Sequence, residues 1–279
     1  MSVYQKYMKL FLPHMITKYL RLVRIQKFTT KILGPLFTPD LGRIEIDITY
    51  NCNLKCCNCN RSCTQATSDE QMSLEQVKRF IEESMKQNRK WKQIRVVGGE
   101  PTLHPQIFEI IKSLLSYVKS FSPSTSIVLV TNGFGQFVNK VLHNIPSEIS
   151  IDNSHKKSPI QEEFVSFNVA PIDLAIYKYA DYVNGCLIPQ LCGIGLTRHG
   201  YYPCAVSGGI DRIFGFDVGR KKIPAPDDEM RDLLKIFCKY CGHFKGYEKV
   251  KDQSLSPAWE KAYKDYHKNR PSLSAYGEK

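Results

Sequence analysis

Cys52, Cys56 and Cys59 follow one another in a Cys-x3-Cys-x2-Cys spacing just after an apolar run, Ile44 to Ile48, that reads as a strand. Thiolates this close in sequence bind soft metals, and three are one short of the four that close a structural zinc site or an iron–sulfur cube. Such a loop holds a metal centre with one position left for another ligand. A second group lies in the last third of the chain: Cys186, Cys192 and Cys204, then Cys238-x2-Cys241. Arg198-His199-Gly200 reads as the turn of a hairpin whose arms carry Cys192 and Cys204. Paired residues across a hairpin stand about 4.5–5.5 Å apart at Cβ. Four thiolates, Cys192, Cys204, Cys238 and Cys241, would close this second centre, with Cys186 the rival for the first place. Zinc held by the same spacings is the plainer alternative.

Two further strand ends carry polar or flexible residues. Ile94 to Val97 runs into Gly98-Gly99-Glu100-Pro101, where glycines admit a backbone edge close to a ligand and the carboxylate suits a cationic partner. Ile127 to Val130 ends in Thr131-Asn132-Gly133. With the three-cysteine loop, this ordered set resembles the radical S-adenosylmethionine (radical SAM) superfamily. The resemblance implies a [4Fe–4S] cluster on Cys52, Cys56 and Cys59 whose open iron takes SAM. It further implies that Gly98, Gly99, Glu100 and Pro101 lie at the methionyl ammonium and Asn132 near the cofactor, with Ser150 and Asp152 facing its ribose or methionyl part. Asn58 departs from the family, which usually has an aromatic residue before the third cysteine.

The hairpin, helix and CxxC of the last third resemble the twitch module, a shortened form of the SPASM module, which carries an auxiliary [4Fe–4S] cluster in radical SAM enzymes. The expected cofactors are therefore SAM and two [4Fe–4S] clusters, with flavodoxin or ferredoxin as the reducing partner. The resemblance implies reductive cleavage of SAM and abstraction of a hydrogen atom from a small, hydroxyl-rich substrate, with dehydrogenation or epimerisation as the outcome. In an epimerase a cysteine returns the hydrogen, and Cys186 is the first choice for that catalytic role over the spare Cys57 and Cys63. A peptide maturase, and an iron–sulfur or zinc protein without catalysis, are the competing classes.

These residues need a scaffold that brings strand ends together. Strands alternating with helical stretches, Ser73 to Gln87 and Ile107 to Val118, give parallel strands with crossover helices. The fold class is α/β: a partial (β/α) barrel of the radical SAM type with a small C-terminal hairpin-plus-helix cluster module. About five barrel strands are expected, one of them at Phe164 to Val169. The organisation reads as an extension over 1–43, the barrel over 44–184, the cluster module over 185–247 and a polar tail over 248–279.

At 279 residues and 42% apolar content the chain can bury a full core. No apolar run reaches the roughly eighteen residues that span a bilayer. Ten cysteines without a secretory leader suit a reducing cytoplasm. Of the net charge of +12, more than half sits before the first carboxylate, Asp40. There Lys6, Lys9, Lys18, Arg21, Arg24, Lys27 and Lys31 oppose an apolar face of Met8, Leu12, Met15, Ile16, Tyr19, Leu20 and Val23. Such a helix suits a membrane surface or an acidic partner, yet the expectation is that its apolar face docks on the barrel. Without interleaved stacking aromatics, nucleic acid is not a partner.

Overall fold

The computed structural model describes residues 14–161, 164–246, 249–251 and 255–277, with side chains described from residue 19 onward except at 249 and 250. The elements in chain order are α1 (His14–Arg24), α2 (Lys27–Leu33), β1 (Arg43–Asp47), β2 (Lys55–Cys56), α3 (Leu74–Lys86), β3 (Gln93–Val97), α4 (Ile107–Ser120), β4 (Ser126–Thr131), α5 (Gln136–His143) and β5 (Ser150–Asn153). There follow β6 (Ile160–Gln161), β7 (Phe164–Val165), α6 (Ile188–Cys192), β8 (Ile194–Thr197), β9 (Gly200–Tyr202), α7 (Ala205–Phe214), α8 (Arg231–Phe237), β10 (Lys249–Val250) and α9 (Pro257–Lys268).

Among the described residues six strands form the principal sheet, in the order β5-β4-β3-β1-β8-β9, parallel throughout except for β9. Rows of apolar side chains set the register: Ile44 stands beside Ile94 and Ile194, and Ile94 beside Ile127. This face packs on helices whose own signals are local. Ser73 and Gln76 form a reciprocal capping box that starts α3, which buries Val77 and Phe80; α4 buries Ile110, Ile111 and Leu114. The indole of Trp91 donates to Ser84 Oγ at 3.0 Å, and Tyr117 donates to the carbonyl of Arg89 at 2.6 Å, joining α3, α4 and the start of β3. The sheet is the parallel-dominated core of an α/β fold, a partial barrel left open along β5.

Several expectations are corrected. Phe164–Val165 leaves the barrel sheet and pairs antiparallel with β10. The fifth parallel strand is β8, which was expected in the separate module; it pairs with β1, so the hairpin β8–β9 extends the barrel sheet. Cys192 does not lie on a hairpin arm, because Ile188-Pro189 starts a short helix that ends at Gly193. The helix expected before the CxxC is α8, which begins at Arg231. The polar tail contains α9, which buries Trp259, Ala262, Tyr263 and Tyr266 at helical spacing. Helix α7 had no sequence expectation, and every one of its residues from Ala205 to Ile213 is buried.

The N-terminal helices are held by the face opposite to the expected one. Ile25 is fully buried with Leu234, Cys238 and Phe244, and Arg21 Nη2 donates to the carbonyls of Gly185 and Phe244, each at 2.6 Å. Tyr19, Leu20 and Val23, expected to dock, are exposed. Met8 and Leu12 lie outside the described residues, and the side chains of Met15 and Ile16 are not among those described. No helix of the described residues is long and apolar enough to cross a membrane.

Candidate active site

The cysteine loop leaves β1 at Ile48 and is fastened on three sides. Gly99 N donates to Thr49 O at 2.8 Å and Glu100 N to Asn51 O at 2.9 Å. A Cβ on Gly98 would stand 2.4 Å from Thr49 O, and one on Gly99 2.3 Å from Asn51 O and 3.0 Å from the Cβ of Cys52. The two glycines therefore let the end of β3 lie against the protein's own cysteine loop. Buried Arg212 in α7 holds the far side, donating to the carbonyls of Ala66, Arg61 and Ser62 and to the hydroxyl of Tyr266 at 3.0–3.3 Å. Its guanidinium also lies over the ring of Tyr50, 4.4 Å from the centroid.

Glu100, expected at the methionyl ammonium, serves as an internal brace. It is fully buried. Its Oε1 accepts from Thr102 N, Thr102 Oγ1 and Thr131 Oγ1, and its Oε2 from Asn132 N at 2.8 Å. Pro101 opens the 3-10 turn that Glu100 caps. Asn132 donates to Asn53 Oδ1 at 2.8 Å and bonds the thiol of Cys52. Gly98, Gly99, Glu100, Pro101 and Asn132 thus converge on the loop. Ser150 and Asp152 stand apart on exposed β5, where Asp152 Oδ2 accepts from Arg95 Nη2 at 3.1 Å.

Cys52, Cys56 and Cys59 are close enough to feel one another's charge. Burial pushes Cys52 up to about 11 and Cys56 up to about 12, a charge on Cys59 adding to both. Cys59 is drawn down to about 6, chiefly by a hydrogen bond from the Cys63 thiol. Three thiolates around one loop repel in the absence of cationic metal, so the donor set fits a centre that neutralises them, and loading must release protons.

The second group assembles differently from the expected set. Cys238 and Cys241 feel the charges of Cys186 and Cys204, and Cys204 feels that of Cys186. Burial is the first cause of the rise in all three of Cys204, Cys238 and Cys241, taking Cys204 to about 11. The structure therefore places Cys186, not Cys192, with the other three. Gly185 makes this possible, because a Cβ there would fall 2.4 Å from the ring of Phe244, three residues beyond Cys241. A single ion needs its donors about 2.0–2.3 Å from one point. Among the described residues no three His, Cys, Asp or Glu side chains converge in that way. Four thiols are the number that would close either a [4Fe–4S] cluster or a zinc site.

Cys192 faces the barrel interior. Burial pushes its thiol well up, the Glu45 carboxylate to which it donates adding to the rise, while Arg95 and Arg61 oppose it. Around it lie charged residues that motif reasoning passed over. Arg61 Nη2 donates to Glu45 Oε2 at 2.9 Å and its Nε to Asp47 Oδ2 at 3.3 Å; Arg95 Nε donates to Glu45 Oε1 at 3.0 Å. Burial raises Asp47 to about 6, with the Arg61 charge opposing. The signal was present in the strand Ile44-Glu45-Ile46-Asp47-Ile48: acids at alternate positions of a strand covered on both faces must look into the barrel.

Residues 46–142 match the Radical SAM superfamily. The chain carries a radical SAM superfamily domain. Such a domain implies SAM and one [4Fe–4S] cluster, and the three-cysteine loop would hold that cluster. Over 102 residues the chain is 33% identical to a protein described as "Probable GTP 3',8-cyclase" from Pyrococcus horikoshii, covering 37% of this chain and 30% of that one. A protein of the same description from Methanocaldococcus jannaschii is 31% identical over 97 residues, 34% and 32% of the two chains. The similarity spans about a third of the length of these curated relatives. A solved structure titled "Crystal structure of BtrN in complex with AdoMet and 2-DOIA" aligns with a TM-score of 0.42 at 12% identity, over 78% of this chain and 97% of that chain.

Proposed function

We propose that this radical SAM domain dehydrogenates a small, hydroxyl-rich substrate held inside the barrel, with a second [4Fe–4S] cluster on Cys186, Cys204, Cys238 and Cys241 accepting an electron. The observation that supports the reading is the packing of Cys186 against the buried group that contains Cys238, with Cys204 and Cys241 also buried and each feeling the charge of Cys186. SAM and its cluster, once reduced by a carrier such as flavodoxin or ferredoxin, supply the group that takes a hydrogen atom from carbon. The substrate carbon then loses a second electron, and its hydroxyl loses a proton as the C=O bond forms. The electron has a destination in the auxiliary cluster. Asp47 is the group inside the barrel suited to take the proton, with Arg61 orienting its carboxylate.

Glu45 and Asp47 are matched by Arg61 and Arg95 in this interior, while Asp152 sits on exposed β5. That balance favours a neutral substrate over a polyanion such as the nucleotide in the relatives' name. In length and layout the chain resembles 2-deoxy-scyllo-inosamine dehydrogenase, which acts on an aminocyclitol. Anaerobic reconstitution is expected to yield about eight irons per chain. Alanine at Cys52, Cys56 and Cys59 should remove about half and abolish SAM cleavage. Alanine at Cys204 and Cys241 should remove the other half, leave deoxyadenosine formation and suppress oxidised product. Retained SAM cleavage in the first variant would refute the reading.

Epimerisation is the second reading, and the position of Cys192 favours it. With Cys186 among the auxiliary thiols, the hydrogen-donor role passes to Cys192, buried in the barrel interior beside Glu45. Turnover in deuterated buffer separates the two. Deuterium at the abstracted carbon with unchanged oxidation level, lost in Cys192→Ala, selects the epimerase.

A further inference from the structure

We propose that the exposed face of α1 and α2 is a docking surface for an anionic lipid bilayer. These helices use one face to hold the body, through buried Ile25 and through Arg21, and leave the other apolar and outward. On α1 that outward face carries Tyr19 and Leu20, 67% and 50% exposed; on α2 it carries Phe28 and Ile32, 76% and 63% exposed. Tyr179 continues the patch, joined to it by the bond from Lys27 N to Tyr179 O at 2.9 Å and by the bridge between Gln26 and Ala180.

The charge around the patch identifies its occupant. Lys27 and Lys31 repeat at the same four-residue interval as Phe28 and Ile32, so cations and apolar side chains run as adjacent stripes along α2. No carboxylate occurs before Asp40, which is engaged by Arg43 and Lys92. Asp181, hydrogen-bonded to α2, accepts from Thr30 and Asn184. A second copy of the chain meeting this face across a two-fold axis would set Lys27 and Lys31 against like charge. A bilayer needs no shaped pocket: apolar tips enter the acyl boundary while lysine stems reach up to anionic headgroups.

The test is vesicle flotation with the full-length chain, using phosphatidylcholine alone and with about 30% phosphatidylglycerol, in about 0.05 M and about 0.5 M salt. Binding is expected to the anionic vesicles at low salt and to be much weaker on neutral ones or at high salt. Lys27→Gln with Lys31→Gln should weaken it about twenty-five-fold, roughly fivefold for each cation. Phe28→Ser with Ile32→Ser should weaken it by at least about tenfold. All four side chains are exposed, so iron content should be unchanged. The proposal is overturned by absent binding to anionic vesicles, including the case where binding appears only after residues 1–13 are removed. It is equally overturned by binding that ignores all four substitutions, by a dimer in sedimentation that Phe28→Ser and Ile32→Ser dissolve, or by retention on an acidic polypeptide without vesicle binding.

Discussion

The glycine pair at the end of β3 abuts the cysteine loop rather than an open cavity, and this changes what substitution there should do. Gly99→Ala forces the carbonyl of Asn51 and the Cβ of Cys52 to move. Iron content should fall toward half, because the loop rather than a ligand surface is displaced; full iron with weakened SAM binding would contradict this. Asp47 sets a pH limb. Its carboxyl is raised to about 6, so it is protonated below that value and cannot accept the substrate proton. Substrate oxidation should rise with pH through about 6, while Asp47→Asn flattens that limb and slows oxidation by about 10²–10⁴-fold. Strand ends and their polar residues were legible because they sit in contiguous motifs. The choice between Cys186 and Cys192 was not legible, since counting across the hairpin assumes extended backbone where Pro189 begins a helix. The role of Glu100 was not legible, because its partners Thr102 and Thr131 come from two different strand ends.

At the scale of elements, α7 and α1 each brace a cysteine group from outside it. Arg212 on α7 gives four hydrogen bonds to the loop segment 61–66 and to α9, and all its acceptors are buried with it. Arg212→Met should cost about 3–5 kcal/mol, read as a lower denaturation midpoint, since it strands carbonyls that have no water to turn to. Arg21 on α1 plays the matching part for the second cysteine group, tying the carbonyl before Cys186 to the segment after Cys241. Arg21→Ala should lower the iron bound by a chain that already has alanine at Cys52, Cys56 and Cys59, and leave iron on the first loop intact when those cysteines are present. Helix α7 escaped sequence reasoning because it is buried all round: even Ser207, Asp211 and Arg212 are buried, so no exposed stripe marks it, and Gly208-Gly209 looks like a breaker. Helix α9 had a readable signal in Trp259, Ala262, Tyr263 and Tyr266, hidden by the surrounding lysines.

The whole molecule is organised around one sheet that both cysteine groups share. β1 leads directly into the first loop, β8 lies beside it, and β9 delivers Cys204. A boundary at residue 184 therefore cuts between strands that pair. A fragment of residues 44–184 should show no cooperative unfolding transition, because β1 would lose its partner on one side and α3 its contacts through Gln76 to Arg198 and Tyr276. A sharp thermal transition in that fragment would restore the two-module description.

The pairing of Ile44 with Ile194 also constrains the order of events during synthesis. β3 and β4 can assemble beside β1 as soon as they leave the ribosome, but the other edge of β1 stays open until β8 emerges. Through that interval the nascent chain exposes an unpaired parallel edge next to three thiols, without Arg212 to hold their loop. Iron delivered early meets a loop with no back wall, and a neighbouring chain meets a free strand edge. Slow elongation after β5 should therefore raise aggregation more than slow elongation after β9, and metal loading belongs after the last pairing is made.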